Sequence, residues 1–522
     1  MSTFGGVVHE FPDIRVDYFR QIPGRRPPRA CFLSHVHSDH LVGLDSFKSP
    51  FVYCSPATKE LLLRLERYPH RLNFASGILE SRRVQYKHLK NLLKPIPLET
   101  PTRIELEPGN DIQVTLFDAN HCPGAVMFLI EGNGKAVLYT GDIRSEPWFV
   151  NNLTKNPFLV EYTSGIKRLD CIYLDTSNTD PVEFPTKADG LRELIQKVSQ
   201  YPPDTVFHFS AWTFGYEEVW MALSKAFQSP IHVDDYKLKL YQSLKGDNND
   251  KSSTSGLFHV REGPVLAGYQ CGNAPQAGCL TSDRRVRFHS CERYMNCEAT
   301  NNLNTVQIRP IITRTKVGAE IAEVGVGGGG GDLSQRPEVE FDSELMIDQF
   351  LGLFGELGES RLSEIKQMLY HSRRSSRNAI SLDDMGLHGD DQTELKLKDL
   401  VVFLAESIYK KKKKTFDEEV AYKTNEKDLP RVITFPYSRH SSYFELCHLV
   451  RVFNPMDVYP CTVDEKNWHE GVSMSHLFGP HCTAKTFRHD TEMRELLAER
   501  QSQRSSEQSQ MVNSTQSLPS SP

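Results

Sequence analysis

The stretch FLSHVHSDH, residues 32–40, places three histidines and an aspartate within six positions, directly behind an apolar run. Side chains two apart on a strand share a face, so His35 and His37 point the same way, and Asp39 and His40 lie on the turn beyond. Such side chains converge at the end of a strand instead of spreading along a helix. That constrains the fold, because further ligands must then be delivered to the same point by other strand ends. His121 in DANHCPG and Asp142 in YTGD meet this requirement, each closing an apolar run. Imidazole nitrogens and carboxylate oxygens are the ligands a catalytic Zn2+ uses when one position stays open for water. A carboxylate such as Asp142 can serve two ions, one oxygen to each. A polar loop with chance histidines explains His121 alone well, and the full set poorly.

The 522-residue chain is long enough for two or more domains. A formal net charge of −6 excludes a nonspecific polycation, so any nucleic-acid contact must come from local basic patches or from metal ions. The eleven cysteines follow no regular framework, and the N-terminal stretch lacks a basic region followed by an apolar one. No apolar run approaches the roughly 20 residues of a membrane span. The expectation is an intracellular, reducing compartment with no membrane association, where a cysteine is a free thiol or a metal ligand.

Short strands, turns and occasional helices alternate over residues 1–180, as in an α/β (α+β) layered domain. Ser55 followed by Pro56 predicts a helix start in SPATKELLLRLER, and IQVTLFDANHCPGAVMFLI reads as strand, turn, strand. Residues 181–430 form a second division containing a flexible, low-complexity insertion at about 317–425, introduced by VGVGGGGGD. Order is expected to return over 431–489, beginning with RVITFPYSRHSSYFELCHLV. The Ser/Gln-rich residues 490–522 read as a disordered tail.

HVHSDH, NHCPG and YTGD together resemble the metallo-β-lactamase superfamily, with Asp17 of IRVDYF at the position of that family's first, metal-supporting aspartate. The resemblance implies an αββα sandwich with a dinuclear site at its edge. It assigns His35, His37, His121 and Asp142 to one Zn2+, and Asp39, His40 and the bridging Asp142 to a second. Two later stretches narrow the branch. YLDTS ends a run in Asp175, and FPYSRHSSY places His440 behind another, with a long insertion between. This is similar to the β-CASP nucleases, whose cap is inserted between an acidic residue and a histidine of this kind. The family's third motif falls on Thr462, or on Val463 with one residue inserted. Neither is histidine, which in that family favours DNA over RNA as substrate. YCSPATKELLL, HCPGAVMFL, VLYTGDIR, FGYE and HSSY extend the resemblance to the Artemis-like DNA-repair branch.

That branch implies a structural zinc in the cap, for which His232, His289, Cys291 and Cys297 are the candidates, with Cys271 and Cys279 as competitors and free cysteines as the plainer alternative. A phosphodiesterase needs a nucleophile at neutral pH and a means of neutralising phosphate charge, which two adjacent ions supply. In this reading Asp17 orients the ligand shell, and His440, placed by Asp175, protonates the leaving oxygen; the bland alternative is that this pair ties cap to core. The helix start in SAWTFGYEEVW is a natural phosphate site, which Thr213, Ser438, Ser441 and Ser442 would extend; simple N-capping competes for each. Trp212 and Tyr216 are candidate base-stacking residues, with ordinary core packing as the alternative. The lysine run 410–414 reads as a nuclear import signal, and the S/T-Q pairs at Ser502, Ser509 and Thr515 as sites for DNA-damage kinases or contacts for end-joining proteins. The expectation is a zinc-dependent nuclear DNA nuclease of strand-break or crosslink repair. Its rivals are an RNA-processing β-CASP endonuclease and a catalytically silent repair scaffold.

Overall fold

Residues that close a buried strand and then turn sharply dominate the first half of the chain, and they build two sheets that meet face to face. The computed structural model describes residues 4–245, 259–292, 297–302 and 304–323, then parts of 331–400, and finally 429–462 and 464–515. Val463 and the lysine run 410–414 lie outside the described residues.

Strands Ile14–Val16, Ala30–Phe32, Val52–Cys54 and Leu93–Pro95 form a parallel four-stranded sheet in that order. A six-stranded sheet runs Asp457–Pro460, Cys171–Leu174, Lys135–Tyr139, Val126–Gly132, Asn110–Asp118, Thr102–Glu107. Its central strands Val126–Gly132, Lys135–Tyr139 and Cys171–Leu174 are largely apolar on both faces, and the two-residue period divides the labour. Val126, Phe128 and Ile130 pack into the core between the sheets with Phe32 and Val16. Met127 and Leu129 face the other way, against helices Pro147–Leu153 and Tyr443–Phe453. Helix Pro56–Leu62 covers the outer side of the first sheet, started by Ser55, whose hydroxyl accepts from Thr58 N at 3.1 Å, and by Pro56 at its first turn. Helix, sheet, sheet and helix thus form the expected αββα sandwich.

The cap is a seven-stranded, mostly parallel sheet centred on Phe207–Phe209 and Val306–Arg314. It differs from the sequence expectation in three places. Strand Val432–Pro436 pairs with Val306–Arg314, so the return to the sandwich falls after residue 436 and not at 431. The reason is its burial: Ile433 and Phe435 fill the cap core. Second, the insertion is not simply a flexible linker. Pro337–Glu340 adds in parallel to Glu66–Asn73, a strand from the first division, in a six-stranded sheet with its own core of Leu72, Leu79, Val339, Phe341, Phe350 and Leu400. Third, the boundary at 490 falls inside helix Arg488–Thr515, whose first turns are anchored. Asp490 there accepts from Met474 N and Ser475 N, and Arg494 pairs with Glu470. Among the described residues no helix is long and apolar enough to cross a membrane.

Candidate metal centre

The ends of four strands meet where the sequence places its histidines. His35 and His37 follow Ala30–Phe32; His121 lies on the turn between Asn110–Asp118 and Val126–Gly132; Asp142 follows Lys135–Tyr139. Gly141, at φ +55°, lets that last turn pass within van der Waals distance of Ser34, where a Cβ would sit 3.0 Å from the serine Cβ.

His35 Nε2 lies 3.0 Å from His37 Nδ1 and 3.4 Å from Asp142 Oδ2; His121 Nε2 lies 3.1 Å from His37 Nδ1 and 3.6 Å from Asp142 Oδ2. A second group shares that carboxylate: His40 Nε2 is 3.3 Å from Asp142 Oδ1 and 3.6 Å from Asp39 Oδ2. The opposite ring nitrogens reveal where the protons are. His37 Nε2–H donates to Phe214 O at 3.1 Å, and His121 Nδ1–H to Arg439 O at 3.0 Å. Ser34 Oγ spends its proton on Asp17 Oδ2 at 2.6 Å and so accepts from His35 Nδ1–H at 2.8 Å. His40 Nδ1–H donates to the same Asp17 oxygen at 2.8 Å, leaving Nε2 buried without a hydrogen-bond partner. Four imidazole nitrogens, from His35, His37, His121 and His40, therefore converge with the Asp142 carboxylate. Lone pairs about 3 Å apart repel one another unless a cation lies between them. A tetrahedron with bonds of about 2.0–2.1 Å to nitrogen has edges of roughly 3.3 Å, which these separations bracket. The donor set fits divalent ions.

The electrostatics divide the two groups. Burial opposes charge on His40, but Asp142, Asp39 and Asp17 outweigh it and raise its pKa well above the usual value, so without a cation this ring carries the compensating charge itself. Burial, then the neighbouring His35 and His121, hold His37 well below its usual pKa. Burial also depresses His121, over the opposing pull of Asp142. For Asp142 burial opposes ionisation, yet His40 and His440 hold its carboxyl well below the usual range. Asp17 is fully buried at φ 54° and also accepts from Ser34 N at 2.7 Å and Tyr139 OH at 2.8 Å, so it sets the direction of both His35 and His40.

Asp175 and His440 come from opposite sides of the cap insertion and meet here, Nδ1 donating to Oδ2 at 2.9 Å. Ile143 N and the Ser177 hydroxyl also donate to the Asp175 carboxylate. Burial lowers the His440 pKa, but Asp175 and Asp142 outweigh it and raise it overall. The strand end beside Leu174 is Cys461–Thr462, and Thr462 O accepts from the Thr176 hydroxyl at 3.0 Å.

The four hydroxyls read from sequence as phosphate contacts are committed elsewhere. Thr213 donates to Asp332 Oδ2 at 2.7 Å, Ser438 to His440 O, and Ser441 to Ile143 O. Ser442 caps helix Tyr443–Phe453 in a reciprocal box with Glu445. The helix start at Glu217 is likewise filled by its own carboxylate, which accepts from Gly215 N at 2.8 Å. Trp212 and Tyr216 are buried in the core rather than open to bases.

In the cap, parallel register sets His232 beside His289, their Nδ1 atoms 3.1 Å apart. Cys297 Sγ lies 3.4 Å from His289 Nδ1 and 3.9 Å from His232 Nδ1, and Cys291 completes a buried four-residue cluster. His289 Nε2–H donates to Val286 O, freeing Nδ1 for the cluster. Cys271 is exposed on a separate hairpin, and Cys279 is outside the cluster. Sequence reasoning missed Phe214 and Arg439, whose carbonyls hold His37 and His121 from behind, and Glu323, which pairs with the Arg439 guanidinium. Backbone carbonyls carry no sequence signal, and Arg439 reads only as a neighbour of His440.

Residues 379–467 match the family described as DNA repair metallo-beta-lactamase, and residues 26–162 match the one described as anti-Pycsar protein Apyc1. Protein artemis of Rattus norvegicus is 33% identical over 344 residues, 59% of this chain and 41% of that protein. Protein artemis of Gallus gallus is 32% identical over 331 residues, 59% of this chain and 40% of its own length. The 5' exonuclease Apollo of Rattus norvegicus is 35% identical over 240 residues, 46% of this chain and 39% of its own. The chain thus spans about two fifths of the length of these curated relatives.

Proposed function

We propose that the chain is a nuclease of the metallo-β-lactamase/β-CASP DNA-repair family, as its match to the DNA repair metallo-beta-lactamase family and its likeness to artemis and Apollo support, and that it hydrolyses phosphodiester bonds in DNA with two Zn2+ ions. Divalent-metal binding follows from the family. The choice of zinc rests on the imidazole-rich donor set and its near-tetrahedral spacing. The observation that carries the reading is the convergence of four imidazole nitrogens on the shared Asp142 carboxylate.

His35, His37, His121 and Asp142 hold one ion; Asp39, His40 and Asp142 hold the other. Bound there, the pair supplies charge neutralisation on the phosphate and a water acidic enough to act as nucleophile at neutral pH. Asp17 keeps the His35 and His40 tautomers that leave Nε2 free. His440, its Nδ1 proton engaged by Asp175, delivers a proton from Nε2 to the leaving oxygen. His232, His289, Cys291 and Cys297 hold a third, structural Zn2+, a reading supported by their burial and by the lack of any carboxylate among them. DNA rather than RNA is favoured by the non-histidine strand end at Cys461–Thr462 and by the match to the DNA repair metallo-beta-lactamase family. The name 5' exonuclease Apollo supports action at 5′ ends, and the matched DNA-repair family supports a place in repair, which we extend to hairpins or overhangs in nuclear strand-break or crosslink repair. The tail's S/T-Q pairs are its proposed contacts with damage kinases or end-joining proteins.

The test uses purified full-length protein on end-labelled DNA and RNA of one sequence, single-stranded with 5′-phosphate or 5′-hydroxyl, and on a DNA hairpin. Asp39→Ala protein runs alongside. Cleavage of DNA alone, abolished by the substitution, is expected, and the product ladder separates end-trimming from hairpin opening. Cleavage of RNA alone would sink the repair assignment. Metal-loaded protein that cuts nothing would leave the scaffold reading in its place.

A further inference from the structure

The insertion that interrupts the cap reaches back to the metal centre at two points. Arg439 is nearly buried, and its main and side chains serve different histidines. Its carbonyl accepts from His121 Nδ1, while its guanidinium donates to Phe214 O at 3.0 Å, the same carbonyl that accepts from His37 Nε2. A guanidinium 3.5 Å from His37 Nε2 would repel a cation held by that ring unless its own charge were compensated. Glu323, itself 94% buried, supplies the compensation: Arg439 Nε donates to Glu323 Oε1 at 2.7 Å, and the Tyr216 hydroxyl donates to the other oxygen. The Arg439 side chain also lies over the Tyr216 ring, 5.1 Å from its centroid. Nine residues further on, Asp332 accepts from Ser38 N at 3.1 Å, on the turn between His37 and Asp39, and from the Thr213 hydroxyl. Leu333 N donates to Trp212 O. Residues far apart in the chain thus brace both sides of the HVHSDH turn.

We propose that Glu323 and Asp332, two carboxylates of the insertion, are positioning residues of the active-site metal centre, acting through Arg439 and through the Ser38 turn. The insertion is then a working part of the nuclease rather than a spacer. Glu323 keeps the guanidinium turned to Phe214 O and its charge off the ions, and Asp332 holds the strand end that presents Asp39. The proposal rests on the metal reading above.

The experiment is a Co2+ titration of the full-length protein, followed in the visible. There the His/carboxylate centre lacks the thiolate charge-transfer absorption of the cap cluster, so the two sites are read separately. Glu323→Gln and Asp332→Ala are compared with Tyr216→Phe, which removes one partner of Glu323 but leaves its pair with Arg439, and with His35→Ala as reference. The expected result is about 10–100-fold weaker binding at the centre for the first two, the scale at which residues behind metal ligands act. Binding in the cap should be unchanged, as should the affinity of Tyr216→Phe. A Glu323→Gln,Arg439→Gln protein should bind no worse than Glu323→Gln, because the uncompensated charge is gone. If His35→Ala weakens binding while Glu323→Gln and Asp332→Ala do not, the brace is overturned and the metal centre stands. If His35→Ala also changes nothing, the metal reading itself falls, and the brace with it. Equal loss in the cap for Glu323→Gln would mark a general unfolding effect and likewise overturn the proposal.

Discussion

The protein holds two clusters of side chains that could bind metal ions, and they are built in opposite ways. At the edge of the sandwich, imidazoles surround a carboxylate shared between two groups, and Asp39 keeps 14% of its side-chain surface open to solvent. The ligands there come from loops at strand ends, and their far nitrogens are held by groups from other parts of the chain: Phe214, Arg439, Ser34 and Asp17. In the cap, two paired strands fix His232 against His289 by register alone, two cysteines close the set, and all four are buried. A closed set of nitrogen and sulfur ligands resists exchange and stabilises a fold, while a partly open set with carboxylates can bind and turn over an anionic substrate. The same amino acids are thus arranged as a closed set in one place and an open one in the other, according to what encloses them.

Three substitutions probe that contrast. The largest effect is expected from Asp142→Ala, which removes a ligand from both groups. DNA cleavage should fall at least about a thousandfold, comparable with losing a preorganised charge-stabilising group, while the cap cluster keeps its metal. Metal analysis beside a cleavage assay checks both halves, and loss of metal from both clusters would erase the distinction. Cys297→Ser should do the reverse. Loss of a structural metal belongs among the changes that cost about 4 kcal/mol or more, and so should lower Tm by roughly 8–16 °C. The protein that remains folded should retain its turnover. Calorimetry with single-turnover cleavage decides, and an unchanged Tm with lost activity would make the cap cluster catalytic. Smallest is Ser442→Ala, where a lost N-cap costs about 1 kcal/mol, or roughly 2–4 °C of Tm, with KM unchanged. A raised KM at constant Tm would instead restore this hydroxyl as a substrate contact.

The site was legible where its chemistry is local. HVHSDH compresses four ligands into one strand end, and His121 and Asp142 stand out because each closes an apolar run with a residue that strands seldom end on without a reason. Ser55–Pro56 announced its helix by the same kind of local rule. The hydroxyls expected to meet phosphate have internal partners instead, because an N-cap and an anion site use the same atoms at the same helix end; only the presence of Glu445 and Asp332 within hydrogen-bond distance shows which partners they have. Among the cysteines, composition could not separate Cys297 from Cys271 and Cys279. The parallel pairing of Ile231–His232 with Phe288–His289 does so, by bringing one chain return and not the others to the histidine pair.

The sandwich and the candidate ligands that converge at its edge were legible in the sequence itself, through periodicity and residues whose chemistry has few other uses. What only the tertiary structure decided is which distant segments complete the centre. Pro337–Glu340 joins Glu66–Asn73 across more than 260 residues, Val432–Pro436 sides with the cap, and Glu323 and Asp332 close in behind the histidines. Such contacts rest on burial and on compensating charges. Neither leaves a local pattern, because each is set by where the rest of the chain excludes water.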